Sequence, residues 1–331
     1  MAETLLKVED LAVEFDTRDG VAKVIDNLNI KLDAGETLGI VGESGCGKSM
    51  TALSIMGLVP IPPGRIAGGR ILLDGEDLLE ASEARMRQVR GNEISMIFQE
   101  PMTSLNPVYS IGNQIAETAR LHEGLSRADA HQRALEMLVA VGIPAAEQRI
   151  NEFPHQMSGG MRQRVMIAMA LACQPRVLIA DEPTTALDVT VQAQIFDLLN
   201  DLKDRTGTAI IMITHDMGAI AEMAQRVVVM YAGRIVEQAD VDQILTDPRH
   251  PYTQGLIRCV PHLTQNPAVE RPPLLEIPGV VPPLTHLGTG CPFAPRCQYA
   301  DAQCRAEMPP SKPIDDDHAV ACWLTERETV A

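Results

Sequence analysis

The residues Gly42-Glu43-Ser44-Gly45-Cys46-Gly47-Lys48-Ser49 decide the fold of this chain. They fit the pattern G-x-x-x-x-G-K-[ST], in which glycines let backbone amides turn toward phosphate oxygens and the lysine adds a positive charge. The serine hydroxyl can join the ligands of a Mg²⁺ ion. An apolar run at 37–41 precedes the stretch and a helical pattern over about 48–58 follows it, so its amides lie at a helix N-terminus, where anions are favoured. We therefore predict nucleotide contacts from Gly42 to Met50 in an α/β fold; a chance glycine-rich turn is the alternative.

The composition excludes several classes of function. The 331 residues include 28 basic and 44 acidic side chains, a net charge of −16, and only 3% aromatic residues, which argues against nucleic acid as the main partner. The longest apolar run, 165–173, is much shorter than the roughly 18 residues of a membrane span, and the N-terminus is not of the signal-peptide type. We expect a cytoplasmic chain that would need other chains to cross a membrane.

The hydrophobic pattern divides the chain into three parts. Alternating apolar residues at 5–15 and apolar runs at 94–98, 177–182 and 209–214 predict strands of a nucleotide-binding core, which we place at 1–100 and 155–247. Between them, helical spacing replaces strand signals and predicts a helical insertion at 101–154. From 248 to 331 prolines are dense, so we expect an extended C-terminal extension without regular helices.

Two carboxylates follow the apolar run that ends at Ala180. In a nucleotide site we expect Asp181 to hold Mg²⁺ and Glu182 to polarise the attacking water. A solvated acidic strand end is the alternative, and the upstream phosphate-binding loop argues against it.

A second anion-binding segment, Ser158-Gly159-Gly160, begins the helix predicted at 162–172. One nucleotide hardly needs two such segments from one chain, so we expect the second to serve a nucleotide held by a partner subunit. Alone, it would be an ordinary helix cap. Here the sequence, MSGGM, resembles the LSGGQ signature of the ATP-binding subunits of ABC transporters.

That resemblance covers nearly the whole chain and implies a P-loop NTPase fold with a RecA-like core, an antiparallel β subdomain and a helical insertion. It implies ATP hydrolysis with Mg²⁺, and it gives three further segments a role. Gln99 matches the glutamine that contacts Mg²⁺ and water; Ala186-Leu187-Asp188 matches the segment that crosses the dimer interface; His215 matches the histidine at the γ-phosphate. The family often stacks adenine on an aromatic residue near position 19; here that residue is Asp19, and Phe15 is the nearest aromatic.

The segments 99–107 and 249–253 resemble the dipeptide, oligopeptide and nickel importers of this family. The resemblance implies two permease chains, a second ATPase, an external solute-binding protein and a location at the cytoplasmic face of the membrane. The second ATPase is either a related protein or a second copy of this chain. Two other classes stay open: an ABC ATPase of translation or DNA repair without permeases, and a regulatory module that has lost hydrolysis.

Four of the seven cysteines lie in the C-terminal extension: Cys291, Cys297, Cys304 and Cys322, spaced C-x5-C-x6-C-x17-C. In a cytosolic chain such a cluster favours metal over disulfides, and four thiolates suit Zn²⁺ or a [4Fe–4S] cluster. Unligated buried cysteines are the alternative. The resemblance to cluster-bearing subunits of the dipeptide importer type favours iron–sulfur.

Overall fold

The largest element of the fold is an eight-stranded sheet, in a computed structural model that describes residues 3–99, 104–184, 187–260, 276–315 and 317–328. Its strands are β3 Thr37–Val41, β6 Ile94–Ile97, β7 Val177–Asp181, β8 Ala209–Ile213, β9 Arg226–Tyr231, β10 Arg234–Asp240, β11 Lys312–Pro313 and β12 Ala319–Val320. Their order is β11-β12-β10-β9-β3-β8-β7-β6. Five neighbouring strands of this sheet, β9, β3, β8, β7 and β6, run parallel. Of these, β3, β6, β7 and β8 are buried along their whole length. This is the expected burial for a parallel sheet covered on both faces.

A second, antiparallel sheet packs on one side of this core. Its strands are β1 Thr4–Thr17, β2 Gly20–Asp33, β4 Gly64–Leu73 and β5 Glu76–Asp77, in the order β2-β1-β4-β5. The alternation predicted in β1 is confirmed, because Leu6, Val8 and Val13 are each at most 1% exposed. These side chains share a hydrophobic cluster with residues of β3 and of the helix after the phosphate-binding loop.

Eight helices lie between the strands up to residue 223 in the described part of the chain. They are α1 Lys48–Ile55, α2 Glu83–Val89, α3 Ile111–His122, α4 Arg127–Ala140, α5 Ala146–Arg149, α6 Gly159–Leu171, α7 Val189–Thr206 and α8 Met217–Met223. The helices α3 to α5 confirm the helical character predicted after residue 101, and Ala134 and Leu138 of α4 are completely buried. Serines at the N-caps of α3 and α4, Ser110 and Ser126, accept a backbone N–H bond three residues on.

The C-terminal part is more regular than the sequence suggested. After α9 Val241–Thr246, the extension that begins at 248 contains α10 Pro251–Arg258, α11 Ala302–Ala306 and α12 Trp323–Glu328. The expectation of an extension without regular helices is wrong, because Pro251 lies in the first turn of α10, where a helix does not require its N–H.

The C-terminal extension is also joined to the core. Strand β12 pairs with β10, and Nε2 of His318 lies 2.7 Å from Oε1 of the fully buried Glu237. No helix among the described residues is long and apolar enough to cross a membrane.

Candidate nucleotide-binding site

The predicted phosphate-binding loop connects β3 to α1 and depends on glycines at specific points. Gly42 and Gly47 have φ angles of 153° and 107°. A Cβ on Gly42 would lie 2.2 Å from the carbonyl oxygen of Met230, so no side chain fits there. At Gly45, with φ of 80°, an added Cβ would meet no atom within 4 Å. The loop is therefore packed on one side against β9 and open on the other, where an anion could approach.

Lys48 lies across this loop. Its side chain is largely buried, and Nζ donates to the carbonyl oxygens of Gly42 at 2.6 Å and Glu43 at 3.1 Å. These contacts keep the ammonium group beside the loop amides, so that a bound triphosphate would meet both.

Asp181 ends β7 with a buried carboxylate whose Oδ1 has no hydrogen-bond partner among the described residues. Burial raises the pKa of Asp181, while a hydrogen bond from Ser49 acts in the opposite direction. A buried carboxylate oxygen without a partner is costly unless a cation satisfies it. Ser49 and Asp181 together therefore fit a Mg²⁺ site of hard oxygen ligands.

Glu182 is contacted by two other residues that the sequence assigned to the site, Gln99 and His215. Oε2 accepts from Nε2 of Gln99 at 3.0 Å, and Oε1 lies 3.0 Å from Nδ1 of His215. The backbone of Glu182 is left-handed, with φ of 48°, which costs energy for a residue other than glycine. Such strain concentrates at functional sites, where the surrounding structure maintains it.

The strand order explains why these side chains meet. In the sheet β7 lies between β6 and β8, and β3 follows β8. Gln99 comes two residues after β6 and His215 two residues after β8. Asp181 ends β7 and Glu182 follows it. Because the carboxyl ends of parallel strands share one edge, all of them lie beside the loop that follows β3.

The predicted second anion-binding segment caps α6 and faces outward. The Ser158 hydroxyl accepts from the N–H of Met161 at 3.3 Å. Ser158 and Gly159 are exposed, Gly160 is half-buried, and a Cβ on Gly159 would meet nothing within 4 Å. Asp188 is likewise exposed and caps α7 through the N–H of Val191, whereas Ala186 lies outside the described residues. The arrangement leaves these groups accessible to a second chain.

Gln163 is a residue that sequence reasoning missed. Its side chain is 2% exposed and donates from Nε2 to the carbonyl oxygen of Pro183 at 2.5 Å. It thereby joins α6, which begins at the exposed serine-glycine segment, to the residue after Glu182. Position within a helix gives no hint of such a contact.

The predicted adenine contact stays untested. Phe15 lies in β1 against Gly64, where an added Cβ would be 2.8 Å from the ring atom Cζ. The ring is half-buried in the antiparallel sheet.

The four C-terminal cysteines line one cavity of about 20 Å³, together with residues such as His250, Phe293 and Trp323. None of the cysteines forms a disulfide. Burial raises the pKa of the Cys291 and Cys322 thiols to about 11. In the described part of the chain, no three His, Cys, Asp or Glu side chains are close enough together to hold a metal ion. The four sulfurs are thus gathered around one space, but not at the spacing of metal ligands.

The chain matches two protein families: ABC transporter over residues 25–185, and oligopeptide/dipeptide transporter, C-terminal region, over residues 236–304. It is 55% identical to a probable peptide ABC transporter ATP-binding protein, y4tR, of Sinorhizobium fredii, over 97% of this chain and 95% of that protein. It is 53% identical to the oligopeptide transport ATP-binding protein OppD of Bacillus subtilis, over 97% of this chain and 88% of the relative.

The chain is also similar in fold to a solved ATP-binding cassette. A dimeric, post-hydrolysis structure of the ATP-binding cassette MJ0796 bound to ADP and Pi is 26% identical, with a TM-score of 0.65, and the match covers 71% of this chain and 98% of that one. With the phosphate-binding loop, the carboxylates and the signature segment in place, the chain belongs to the ATP-binding proteins of ABC transporters, in their oligopeptide/dipeptide branch.

Proposed function

We propose that this chain is the ATP-hydrolysing subunit of an ABC importer of peptides. The observation that carries the proposal is that Gln99 and His215 both contact the Glu182 carboxylate, at the strand ends beside the phosphate-binding loop. Relatives named as peptide or oligopeptide ATP-binding proteins support the peptide substrate. Together they favour an importer over an ABC ATPase of translation or DNA repair.

The residues of the site divide the chemistry between them. Lys48 and the amides of the loop from Gly42 to Met50 bind the phosphates. Ser49, Gln99 and Asp181 would hold Mg²⁺, which would neutralise charge on the phosphates. Glu182 orients the attacking water and accepts its proton. His215, whose ring also contacts the Glu182 carboxylate, contacts the γ-phosphate. Catalysis here is mainly positioning and charge stabilisation.

The catalytic pocket is proposed to be shared between two ATPase chains. Ser158, Gly159 and Gly160 would cover the nucleotide held by the partner ATPase, and Asp188 would lie at the interface. Their exposure in this chain supports that arrangement, as does the dimeric state of the similar cassette MJ0796. Closure of the two chains would exclude water from the reaction.

In the proposed division of the chain, the helical insertion couples the nucleotide site to the permeases. The core comprises 1–100 and 155–247, the insertion 101–154 and the extension 248–331. Between core and insertion lies a groove of about 370 Å³ whose lining includes Phe98 and Leu121, side chains that are 39% and 73% exposed. We propose that a permease segment docks there, at the cytoplasmic face of the membrane, in a complex with a second permease, a second ATPase and an external solute-binding protein. Since Phe98 adjoins Gln99, movement of the docked segment would reach Glu182 directly.

The four C-terminal cysteines are proposed to bind a [4Fe–4S] cluster or, alternatively, Zn²⁺. Their placement around one cavity supports this, although the sulfurs would have to move closer together. Anaerobically purified protein should contain iron and acid-labile sulfide, and Cys→Ser substitution should remove both. Stoichiometric zinc in colourless protein would exclude the cluster.

The function is tested with the complex pulled down in detergent from its native membrane. We expect permease chains to accompany this subunit and Glu182→Gln to lower ATP hydrolysis by about 100-fold or more, while ATP still binds. Glu222→Gln, which changes an exposed carboxylate on α8, is the matched control and should hydrolyse normally. Near-normal hydrolysis in Glu182→Gln, or a subunit without membrane partners, would contradict the proposal.

A further inference from the structure

The phosphate-binding loop contains one acidic side chain, Glu43, and that side chain is paired with the C-terminal extension. Arg296, 253 positions later, donates from one terminal nitrogen to Oε2 of Glu43 at 2.6 Å and from the other to Oε1 at 3.0 Å. The Arg296 side chain is 4% exposed and that of Glu43 is 30% exposed. A bidentate pair between a buried guanidinium and a carboxylate is among the stronger contacts in proteins.

Arg296 is fixed in place by other residues of the extension and of β9. Its Nε donates to the carbonyl oxygen of Pro278 at 2.9 Å, and a terminal nitrogen donates to that of Ile277 at 3.1 Å. Its guanidinium carbon lies 5.8 Å from the ring centres of both Tyr231 and Phe293. These contacts hold the guanidinium in place, where it pairs with Glu43.

The backbone of Glu43 is held as well. Its N–H donates to the hydroxyl oxygen of the fully buried Tyr252 at 2.8 Å, and its carbonyl accepts from Lys48. Tyr252 belongs to α10 and packs edge-on against Tyr231, with ring centres 4.7 Å apart. The first turn of the phosphate-binding loop thus rests on residues from the C-terminal extension.

We propose that Arg296 is a positioning residue of the nucleotide site, and that through it the C-terminal extension sets the affinity of the loop for a nucleoside triphosphate. The inference rests on the proposed function, because it requires the loop to bind phosphates. An unpaired carboxylate beside a triphosphate repels it; Arg296 neutralises Glu43 and holds its carboxylate against the C-terminal extension.

Single and double variants of Arg296 and Glu43 separate the effect of the charge from that of the fold. Arg296→Gln leaves the Glu43 carboxylate unpaired and should weaken the binding of Mg-AMP-PNP, a non-hydrolysable ATP analogue, by about tenfold. Glu43→Gln keeps the backbone amide of the loop and removes the repelling charge, so it should bind more tightly than Arg296→Gln. The double variant should return to the affinity of Glu43→Gln, because neither charge is left.

The experiment is calorimetric titration of the full chain with Mg-AMP-PNP. Arg305→Gln is the matched control: Arg305 is an exposed arginine of the same extension whose guanidinium donates to the backbone carbonyls of Ala300 and Asp301, and the variant should bind normally. Arg296→Lys, which keeps the charge but loses the fork, should bind with intermediate affinity and tests the inference even if Arg296→Gln folds poorly. In steady-state assays Arg296→Gln should raise KM for ATP more than it lowers kcat.

Normal affinity in both Arg296 variants would overturn the inference. So would a double variant as weak as Arg296→Gln, because only a general structural defect would resist rescue by Glu43→Gln. Failure of the wild-type chain to bind the analogue would instead overturn the proposed function, so the two failures are distinguishable.

Discussion

At the scale of single residues, Asp181 illustrates how burial prepares a side chain for a cation. Its carboxylate is 3% exposed, Oδ1 has no partner among the described residues, and burial raises its pKa. All three observations describe a charge that the protein alone does not satisfy. A divalent cation beside Ser49 would supply what is lacking.

Asp181→Asn should therefore separate metal binding from folding. The amide keeps the size of the side chain but removes the charge, so we expect the Mg²⁺-dependent gain in ATP affinity to fall by about 10- to 100-fold. Because desolvation is the main cause of the raised pKa, the free energy of unfolding without nucleotide should not decrease. Nucleotide titrations with and without Mg²⁺, and urea denaturation, measure the two effects.

The matched control is Asp197→Asn, an exposed carboxylate on α7 that should change neither measurement. If Asp181→Asn retains its full Mg²⁺ dependence, this side chain does not hold the metal. If it retains no affinity for nucleotide even without Mg²⁺, Asp181 has another role in the loop.

At the scale of elements, the sequence predicted those parts whose signals are local. The strand at 37–41 has the predicted bounds. The strand predicted at 177–182 ends one residue earlier, at Asp181, so that Glu182 follows it. An apolar run followed by a motif identifies both, because all the relevant residues are neighbours in sequence. Helix α10 was missed, since its start depends on Pro251 and on a cap formed by His250, and dense prolines argue against helices in general.

His250 gives α10 a dependence on pH. The completely buried ring accepts from the N–H of Tyr252 through Nδ1, at 3.0 Å, and burial lowers the pKa of His250 to about 3. Below the unfolded value of about 6.5, the unfolded chain binds a proton at this position that the folded chain does not. The folded protein should therefore lose stability through this histidine as the pH falls from about 6.5 toward 3.

His250→Asn tests this dependence, because asparagine can accept the same N–H bond but does not titrate. Between pH 7 and pH 5 we expect the wild-type chain to lose about 2 kcal/mol more of its unfolding free energy than the variant. Urea denaturation at both pH values gives the difference for each chain. His131→Asn, at an exposed position on α4, is the control and should follow the wild type. Parallel losses in wild type and His250→Asn would show that folding does not lower the pKa of His250.

At the scale of the whole molecule, some contacts of the site can be predicted from the sequence and others cannot. Gln99, Glu182 and His215 were predictable as neighbours, because each follows a strand of one parallel sheet. The pairing of Glu43 with Arg296 was not, because it joins two segments that share no motif and depends on how the C-terminal extension folds back. Glu43 occupies an unspecified position of the G-x-x-x-x-G-K-[ST] pattern and Arg296 belongs to no motif, so only the packed structure identifies the pair.

The exposed signature segment leads to a prediction about assembly. If Ser158 and its glycines cover a nucleotide on a partner, ATP should draw two chains together when hydrolysis is blocked. We expect Glu182→Gln to form dimers with ATP and to be monomeric without it. Adding Ser158→Arg should weaken that dimer by at least about tenfold, because a long side chain would occupy the space meant for the nucleotide.

Size-exclusion chromatography with light scattering measures the dimer, and nucleotide titration measures each chain's own loop. The double variant should still bind ATP as a monomer, because Ser158 is exposed on α6 and serves the other chain's nucleotide. As a control, Ser126→Arg changes another serine that caps a helix, on the insertion rather than at the signature, and should leave the dimer intact. Full dimerisation despite Ser158→Arg would place the shared pocket elsewhere, and loss of ATP binding by the monomer would show that the serine acts within its own chain.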